Sequence, residues 1–290
     1  MRTFFDCIPC FIGQSLDSVR MITPDRTIHE QLLGEILQVL GELDFRQSPP
    51  AIAQRSHRLI RELTGKRDPY RATKDRFNRL ALDIYTELKR RIKRSTDPLA
   101  TAARLAIAGN VIDLAVNNHL GDDEVREAID HAAEVQLDGD VATFTETTSI
   151  ATSVLYLADN AGEVVFDRLL IEQIPWKKVT VAVKGSPVIN DATIEDAEAV
   201  RLLEPVEVID SGSDGPGTIL DDCSQAFRRC FDEVDLVIAK GQGNYETPSD
   251  VNIDVFFHSE GQAPRNGQGS GLSGRQPDLA AVHNDSDGRW

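Results

Sequence analysis

Apolar residues recur at three- and four-residue spacing along the first part of the chain, up to about residue 135. The segments HEQLLGEILQVLGEL, AIAQRSHRLIRELTG, KDRFNRLALDIYTELKRRIKRS and DPLATAARLAIAGNVIDLAV each place charges on the faces opposite their apolar stripes, the pattern of amphipathic helices. Asp97-Pro98 marks a helix start, a capping carboxylate followed by proline at the first helical position. From about residue 150 the texture changes. SVLYLADN, KVTVAVKG, EPVEVIDSG and VDLVIAKGQG are short Val/Ile/Leu runs that end in polar or glycine residues, and between them VVFDRLLIEQI, TIEDAEAVRLL and TILDDCSQAFRRCF read as helices. Strands that are apolar on both faces and alternate with helices predict a parallel sheet covered on both sides. The expected fold class is therefore α/β: an all-helical N-terminal domain over 1–148 and a three-layer α/β/α domain with a mainly parallel sheet over 149–257. Residues 258–290, HSEGQAPRNGQGSGLSGRQPDLAAVHNDSDGRW, have no periodic apolar face and read as a disordered tail.

A hydrophobic fraction of 41% fits a self-folding globular chain. The formal net charge of -16 argues against a surface built to grip nucleic acid. It leaves room for an anionic metabolite, because a bound divalent cation makes a site locally positive inside an acidic envelope. Solubility alone also accounts for the acidity. No run approaches the roughly 20 apolar residues of a membrane span, and the opening MRTFFDCIPCFIGQ lacks a signal-peptide pattern. No membrane partner and a cytoplasmic location are the expectation. The four cysteines are too few for a disulfide framework in a chain of 290 residues.

The polar residues gather where the strands end, and in open α/β sheets that is where ligands bind. Asp159-Asn160-Ala161-Gly162-Glu163 follows VLYLA and sets two hard oxygen ligands side by side, with Glu163 in the first turn of a helix; helix capping by Asp159 or Asn160 is the alternative. Lys184-Gly185-Ser186-Pro187-Val188-Ile189-Asn190-Asp191 follows VTVAV and adds a cation and a second Asn-Asp pair. Carboxylates and amides at neighbouring strand ends could hold a hard divalent ion, Mg or Mn rather than structural zinc. Asp210-Ser211-Gly212-Ser213-Asp214-Gly215-Pro216-Gly217-Thr218 is a loop able to cradle phosphate or simply to connect strand to helix. Lys240-Gly241-Gln242-Gly243-Asn244 follows DLVIA, and a lysine with glycines and an amide there suits a phosphate held against a metal.

LADNAGE, KGSPVINDAT, IDSGSDGPGT and AKGQGNYE together resemble the signature blocks of the damage-control phosphatases, a metal-dependent family once known only as a domain of unknown function. Cys7-x-x-Cys10 with Gln14, Asp68-Pro69-Tyr70 with Lys74 and Asn78, Asp97-Pro98-Leu99 and Gly109-Asn110-x-Ile112-Asp113 extend the resemblance over residues 5 to 257, nearest to the stand-alone archaeal and bacterial branch. It implies hydrolysis of a small phosphorylated metabolite with a divalent ion (Mn, Mg, Co or Ni). By the same resemblance Asp159, Asn160 and Asp191 are metal ligands, with Asp159 and Asp191 catalytic. Lys240, Gly241 and Asn244 would line the substrate site with Glu163 and Lys184, and Asn110 and Asp113 would face it from the helical side. The chain departs from the family after VNIDVFF, where an apolar, basic Lys-x-Lys-Cys-Pro-like element, a helix and a closing strand give way to HSEGQAPRNGQGSG. A displaced reading frame would produce such a change, and it would remove a phosphate-contacting lysine and the last piece of sheet.

Two other functions remain open on the residues. One is a nucleotide- or methyl-donor-dependent transferase, disfavoured because Asp191 sits inside a lysine-led block rather than at the strand end. The other is a non-catalytic metabolite-binding protein inactivated by its altered C-terminus. Cys7 and Cys10 could be a redox pair, half of a metal site or a buried helix start, being two ligands short of zinc. Cys223 and Cys230, seven apart on an expected helix, read as core thiols. The six histidines show no H-x-E or H-E-x-x-H pattern and are expected mostly at surfaces.

Overall fold

The computed structural model describes residues 2–110, 122–134, 138–139, 141–175, 178–202, 204, 206–247, 254–260 and 277–282. The helical part comprises α1 (Cys7–Ile22), α2 (Arg26–Gly41), α3 (Pro49–Thr64), α4 (Arg71–Arg94), α5 (Pro98–Ala108), α6 (Asp122–Glu134) and α7 (Val141–Ile150). Its start signals are local chemistry. Asp25 accepts from the N–H of Thr27 at 2.9 Å to open α2, and Asp97 accepts from that of Ala100 at 3.0 Å ahead of Pro98 in α5. Each satisfies one of the orphan donors of a helix N-terminus. Gly65, at φ 65, closes α3 in the left-handed conformation that glycine adopts without strain.

The second part alternates β2 (Val154–Leu157), α8 (Glu163–Ile171), β3 (Val179–Val183), α9 (Ile194–Ala199), β4 (Glu207–Asp210), α10 (Gln225–Glu233), β5 (Leu236–Lys240) and α11 (Gln242–Glu246). With β1 (Asp138–Gly139), β6 (Asp254–Glu260) and β7 (Pro277–Val282), the strands form a seven-stranded sheet in the order β1-β7-β6-β5-β2-β3-β4. Pairings from β6 through β4 are parallel, and only β6–β7 is antiparallel. This confirms the expected α/β class. The chain runs outward from β2 to β3 and β4, then returns to lay β5 on the other side of β2. The resulting switch point lies beyond the carboxyl ends of β2 and β5.

Alternate residues of the central strands feed two cores. Val154, Tyr156, Leu236 and Ile238 face a cluster with Phe77, Leu80, Leu105 and Phe166, while Leu155, Leu157, Val237 and Ala239 face Phe227 and Phe231 of α10. The first cluster takes in α4 and α5 as well as α8, so one apolar core crosses residue 148. The texture change in the sequence there is a change of secondary structure and no break in packing. Helices α1–α3 close on their own smaller clusters around Val19, Leu32, Ile36 and Ile60, and around Phe11, Ile52 and Ala53.

Of residues 258–290 the structure describes 258–260 and 277–282, and both stretches are strand. His258–Glu260 continue β6, and Pro277–Val282 pair with it antiparallel, from Val255 opposite Val282 to Glu260 opposite Pro277. An unpaired parallel strand end leaves a row of unmet backbone groups, and the short run PDLAAV is able to meet them. Among the described residues no helix is long and apolar enough to cross a membrane.

Candidate metal and phosphate site

The loops after β2 and β3 are tied to each other by backbone before any side chain is considered. Asn160 and Asp191 form an antiparallel bridge, the N–H of Ala161 donates to Asn190 O at 2.9 Å, and that of Ala192 donates to Asp159 O at 2.7 Å. The three expected ligands Asp159, Asn160 and Asp191 are thus neighbours. Ile189, just ahead of the Asn-Asp pair, sits at φ 44. A β-branched residue in that region is strained by about 1–3 kcal/mol, and such strain persists only where surrounding contacts impose it.

The helical side holds the neighbouring loops in place. Asn78 of α4 accepts from the N–H of Gly162 at 2.7 Å and donates to Asp196 at 3.0 Å. Lys74, fully buried, reaches Asp196 at 2.6 Å, and Arg71 reaches it at 2.5 Å. Asp196 also accepts from Thr193 N–H and hydroxyl, closing the capping box of α9. Burial pushes the Asp196 carboxyl up, but Lys74 and the Thr193 bonds outweigh it and hold the group below the usual carboxylate range. One buried carboxylate therefore fastens α4 to the loop that carries Asp191.

Glycines set the spacing of the remaining loops. Gly241 stands at φ 81, and a Cβ there would lie 1.8 Å from Asp159 Oδ2. Its backbone thus approaches the Asp159 carboxylate as only glycine allows. A Cβ on Gly185 would meet Gly212 at 2.6 Å, so the loops after β3 and β4 touch backbone to backbone. Lys184 is buried, donates to Gly217 O at 2.6 Å and lies 3.5 Å from Asp191 Oδ2, which places its charge beside a candidate ligand.

Three expected substrate-site residues are placed differently. Lys240 points into the sheet face covered by α5 and α8, where its ammonium meets Ala106 O at 2.9 Å, Glu163 Oε2 at 2.8 Å and Asp167 Oδ1 at 3.2 Å. An ammonium has three donors, and these contacts use them. Burial opposes the Lys240 charge, but Asp167 and Glu163 prevail and raise its pKa. Asp167 is itself pushed up to about 6 by burial, against the pull of Lys240. Asn244 is fully buried, donating to Ala158 O and Lys240 O and accepting from Thr218 Oγ1 at 2.7 Å, so it clamps loop ends together. Glu163 is fully buried as the partner of Lys240 and Asn160. Lys240, Asn244 and Glu163 therefore form a buried network next to the loop that carries Asp159 and Asn160. Asn110 is half-buried just past α5. Asp113 lies outside the described residues.

The structure adds groups from α3. Gln54 and Arg58 reach Asp214 and Asp222, with Arg58 to Asp214 at 2.5 Å, while Arg61 pairs with Asp214 and donates to Pro187 O at 3.0 Å. Arg58, Arg61 and Arg67 line a cavity of about 260 Å³ with Ser186, Pro187, Gly212, Asp214 and Asp222. The spacing Arg55, Arg58, Arg61 marks one helix face and was the available signal for this basic surface. His57 of α3 is buried, contrary to the expected surface placement. Burial, with Arg61 nearby, lowers its pKa to about 4. Its folded pKa lies below the unfolded value, so the unfolded chain binds the extra proton between about pH 6.5 and 4, and acid in that window destabilises the fold. Urea titrations at pH 7 and 4.5 should show a smaller acid-induced loss in His57→Gln than in the native chain; equal losses would place the imidazole in water.

All four cysteines are free: Cys7 half-buried, Cys10 exposed, Cys223 buried and Cys230 half-buried. Cys223 precedes α10, so it and Cys230 do not share one helix as expected. Burial lifts the Cys223 thiol to about 11.

As a cation site the donor set is oxygen only: two carboxylates and the Asn160 amide. Among the described residues no group of three or more His, Cys, Asp or Glu side chains is arranged to hold a metal ion, so the amide is needed to complete a three-point set. Such donors, with the Gly241 backbone leaving room against Asp159, fit a hard divalent ion.

The chain belongs to the damage-control phosphatase family: the family model described as "Damage-control phosphatase ARMT1-like domain" matches residues 3–253. It is similar to a protein of Archaeoglobus fulgidus named damage-control phosphatase, 34% identical over 253 residues that cover 85% of this chain and 87% of the relative. It is also similar to the Pyrococcus horikoshii damage-control phosphatase PH1575, 32% identical over 270 residues that cover 91% and 92%. The crystal structure of that DUF89 family protein superposes with a TM-score of 0.82 at 30% identity, covering 91% of this chain and 93% of the other.

Proposed function

We propose that this chain is a metal-dependent phosphomonoesterase acting on small phosphorylated metabolites, with the metal held by Asp159, Asn160 and Asp191. The observation that carries the reading is the bridge between Asn160 and Asp191 at the switch point of the sheet, which sets the loop carrying Asp191 against the loop carrying Asp159 and Asn160. The names of the relatives and the family point to the same reaction class. A bound divalent ion supplies Lewis-acid polarisation of a phosphoryl oxygen and an activated water. The residues of the chain supply the rest. Asp159 and Asp191 offer the negative charge that holds the cation, and the Lys184 ammonium lies 3.5 Å from Asp191. In the cavity beside α3, three arginines against two aspartates leave a cationic wall for an anionic ligand.

After chelation, the protein should release no phosphate from a panel of sugar phosphates, and Mn, Mg, Co or Ni should each be tried to restore release. Restoration by at least one ion is the expected result. Phosphate release at the same rate in chelator would show that no metal takes part, and silence toward the whole panel with every ion would favour a binding protein.

A further inference from the structure

The amide of Asn160 can serve a cation only through its oxygen, and the geometry points to Glu163 as the residue that turns it that way; the inference rests on the proposed ligand set. Asn160 Nδ2 lies 3.0 Å from Asp159 Oδ2 and 3.2 Å from Glu163 Oε1. Both neighbours are carboxylate oxygens, which accept only, so the nitrogen must face them and its two hydrogens are used. Oδ1 is then the atom turned away from both carboxylates. Rotating the amide by half a turn would set its oxygen against two carboxylates and aim N–H groups at the cation. Asp159 alone does not fix this, because it is itself a candidate ligand and its oxygens must also serve the ion. Glu163 is fully buried, and its other oxygen is anchored by Lys240 at 2.8 Å, with Lys240 held in turn by Asp167 and Ala106 O. The chain Asp167–Lys240–Glu163–Asn160 thus runs from the core to the site. Glu163 and Lys240 are positioning residues: neither reaches the ion, and both act through the orientation of one amide. Partners of this kind set the orientation of metal ligands, and losing one typically weakens metal affinity about 10–100-fold.

Glu163→Gln tests the assignment at nearly constant shape. The Lys240 ammonium requires an acceptor and takes the oxygen of the new amide, so the new NH2 faces Asn160. Asn160 must then present its own oxygen inward and its NH2 to the cation. Mn affinity, read by calorimetry or by loss of the free-ion paramagnetic resonance signal, should fall at least about 10-fold. In an Asn160→Asp background either oxygen can serve the ion and the inward one accepts from the new NH2. Adding Glu163→Gln there should not weaken Mn binding, because its NH2 replaces a carboxylate oxygen facing the inward oxygen, a non-additivity that damage to the fold does not produce. Glu163→Asp, one methylene shorter and out of reach of Nδ2, should weaken Mn binding in the native background as well, and covers the case in which Glu163→Gln fails to fold. An equal loss in both backgrounds would show that Glu163 acts through the fold and overturn the inference. Native-like Mn affinity in Glu163→Gln, with Asp159→Ala unable to bind Mn, would also overturn it while leaving the ligand set standing. If Asp159→Ala and Asp191→Ala both bind Mn as the native chain does, the ligand set falls first and the orientation of Asn160 has nothing to serve.

Discussion

Asp159→Ala and Asp191→Ala should each lower divalent-ion affinity by more than about 100-fold, beyond the range seen when only a supporting residue is removed, and should abolish phosphate release with it. The fold should survive both changes, because the loops that carry these residues are held by groups the substitutions leave in place. Ala158 N–H donates to Ala182 O, Ala161 N–H to Asn190 O and Ala192 N–H to Asp159 O, all backbone bonds. The clamp from α4 runs through Asn78, Lys74 and Asp196, one turn away. Stability should therefore stay within about 1 kcal/mol of the parent, so that lost binding is not lost structure. Calorimetric titration with Mn and Mg decides the matter. Undiminished affinity in both variants would remove Asp159 and Asp191 from the ligand set, whatever happens to activity.

Asp159 and Asn160 were legible as candidate ligands because they follow directly on the apolar run of β2. Asp191 lies eight residues past the end of β3, and the resemblance of its block to the family, not its position at a strand end, singled it out. Lys240 shows where that logic stops. It is the last residue of β5, two on from Ile238 and four from Leu236, and it therefore shares their face of the sheet. That face is covered by α5 and α8, so the ammonium is carried inward to Ala106, Glu163 and Asp167. A strand apolar on both sides gives no sign of which alternate position meets which helix layer, and the fate of Lys240 is settled only by tertiary packing. The same limit hid the basic face of α3. Arg58 and Arg61 look like the solvated side of an amphipathic helix until Asp214 and Asp222 are brought against them by the turn after β4. The strand Pro277–Val282 within the tail was not legible either. Its composition lacks periodicity, yet the edge it meets is a strand whose unmet backbone groups can recruit even a short segment.

Replacing Lys240 by methionine should then be among the most damaging single changes in the chain, and damaging to stability before ligand binding. Methionine nearly fills the volume but leaves Glu163 and Asp167 facing each other, buried, with no cation between them. Removing one partner from a buried ion pair costs about 3–5 kcal/mol, because the remaining charge keeps its desolvation penalty. Here two carboxylates and the Ala106 carbonyl lose the same partner. The pH dependence follows from the direction of the Asp167 shift. Burial already raises that carboxyl from 3.8 to about 6 with Lys240 beside it, and without the ammonium only the Tyr156 hydroxyl still opposes burial and Glu163. A carboxyl whose folded pKa lies above its unfolded value contributes stability at low pH that is lost as pH rises through the folded pKa. The deficit of Lys240→Met should thus be larger at pH 8 than at pH 5, where protonation relieves a buried charge. Denaturant unfolding of parent and variant at both pH values measures it directly. A variant as stable as its parent at pH 8, with affinity for a phosphorylated ligand alone reduced, would return Lys240 to the substrate and contradict the buried network.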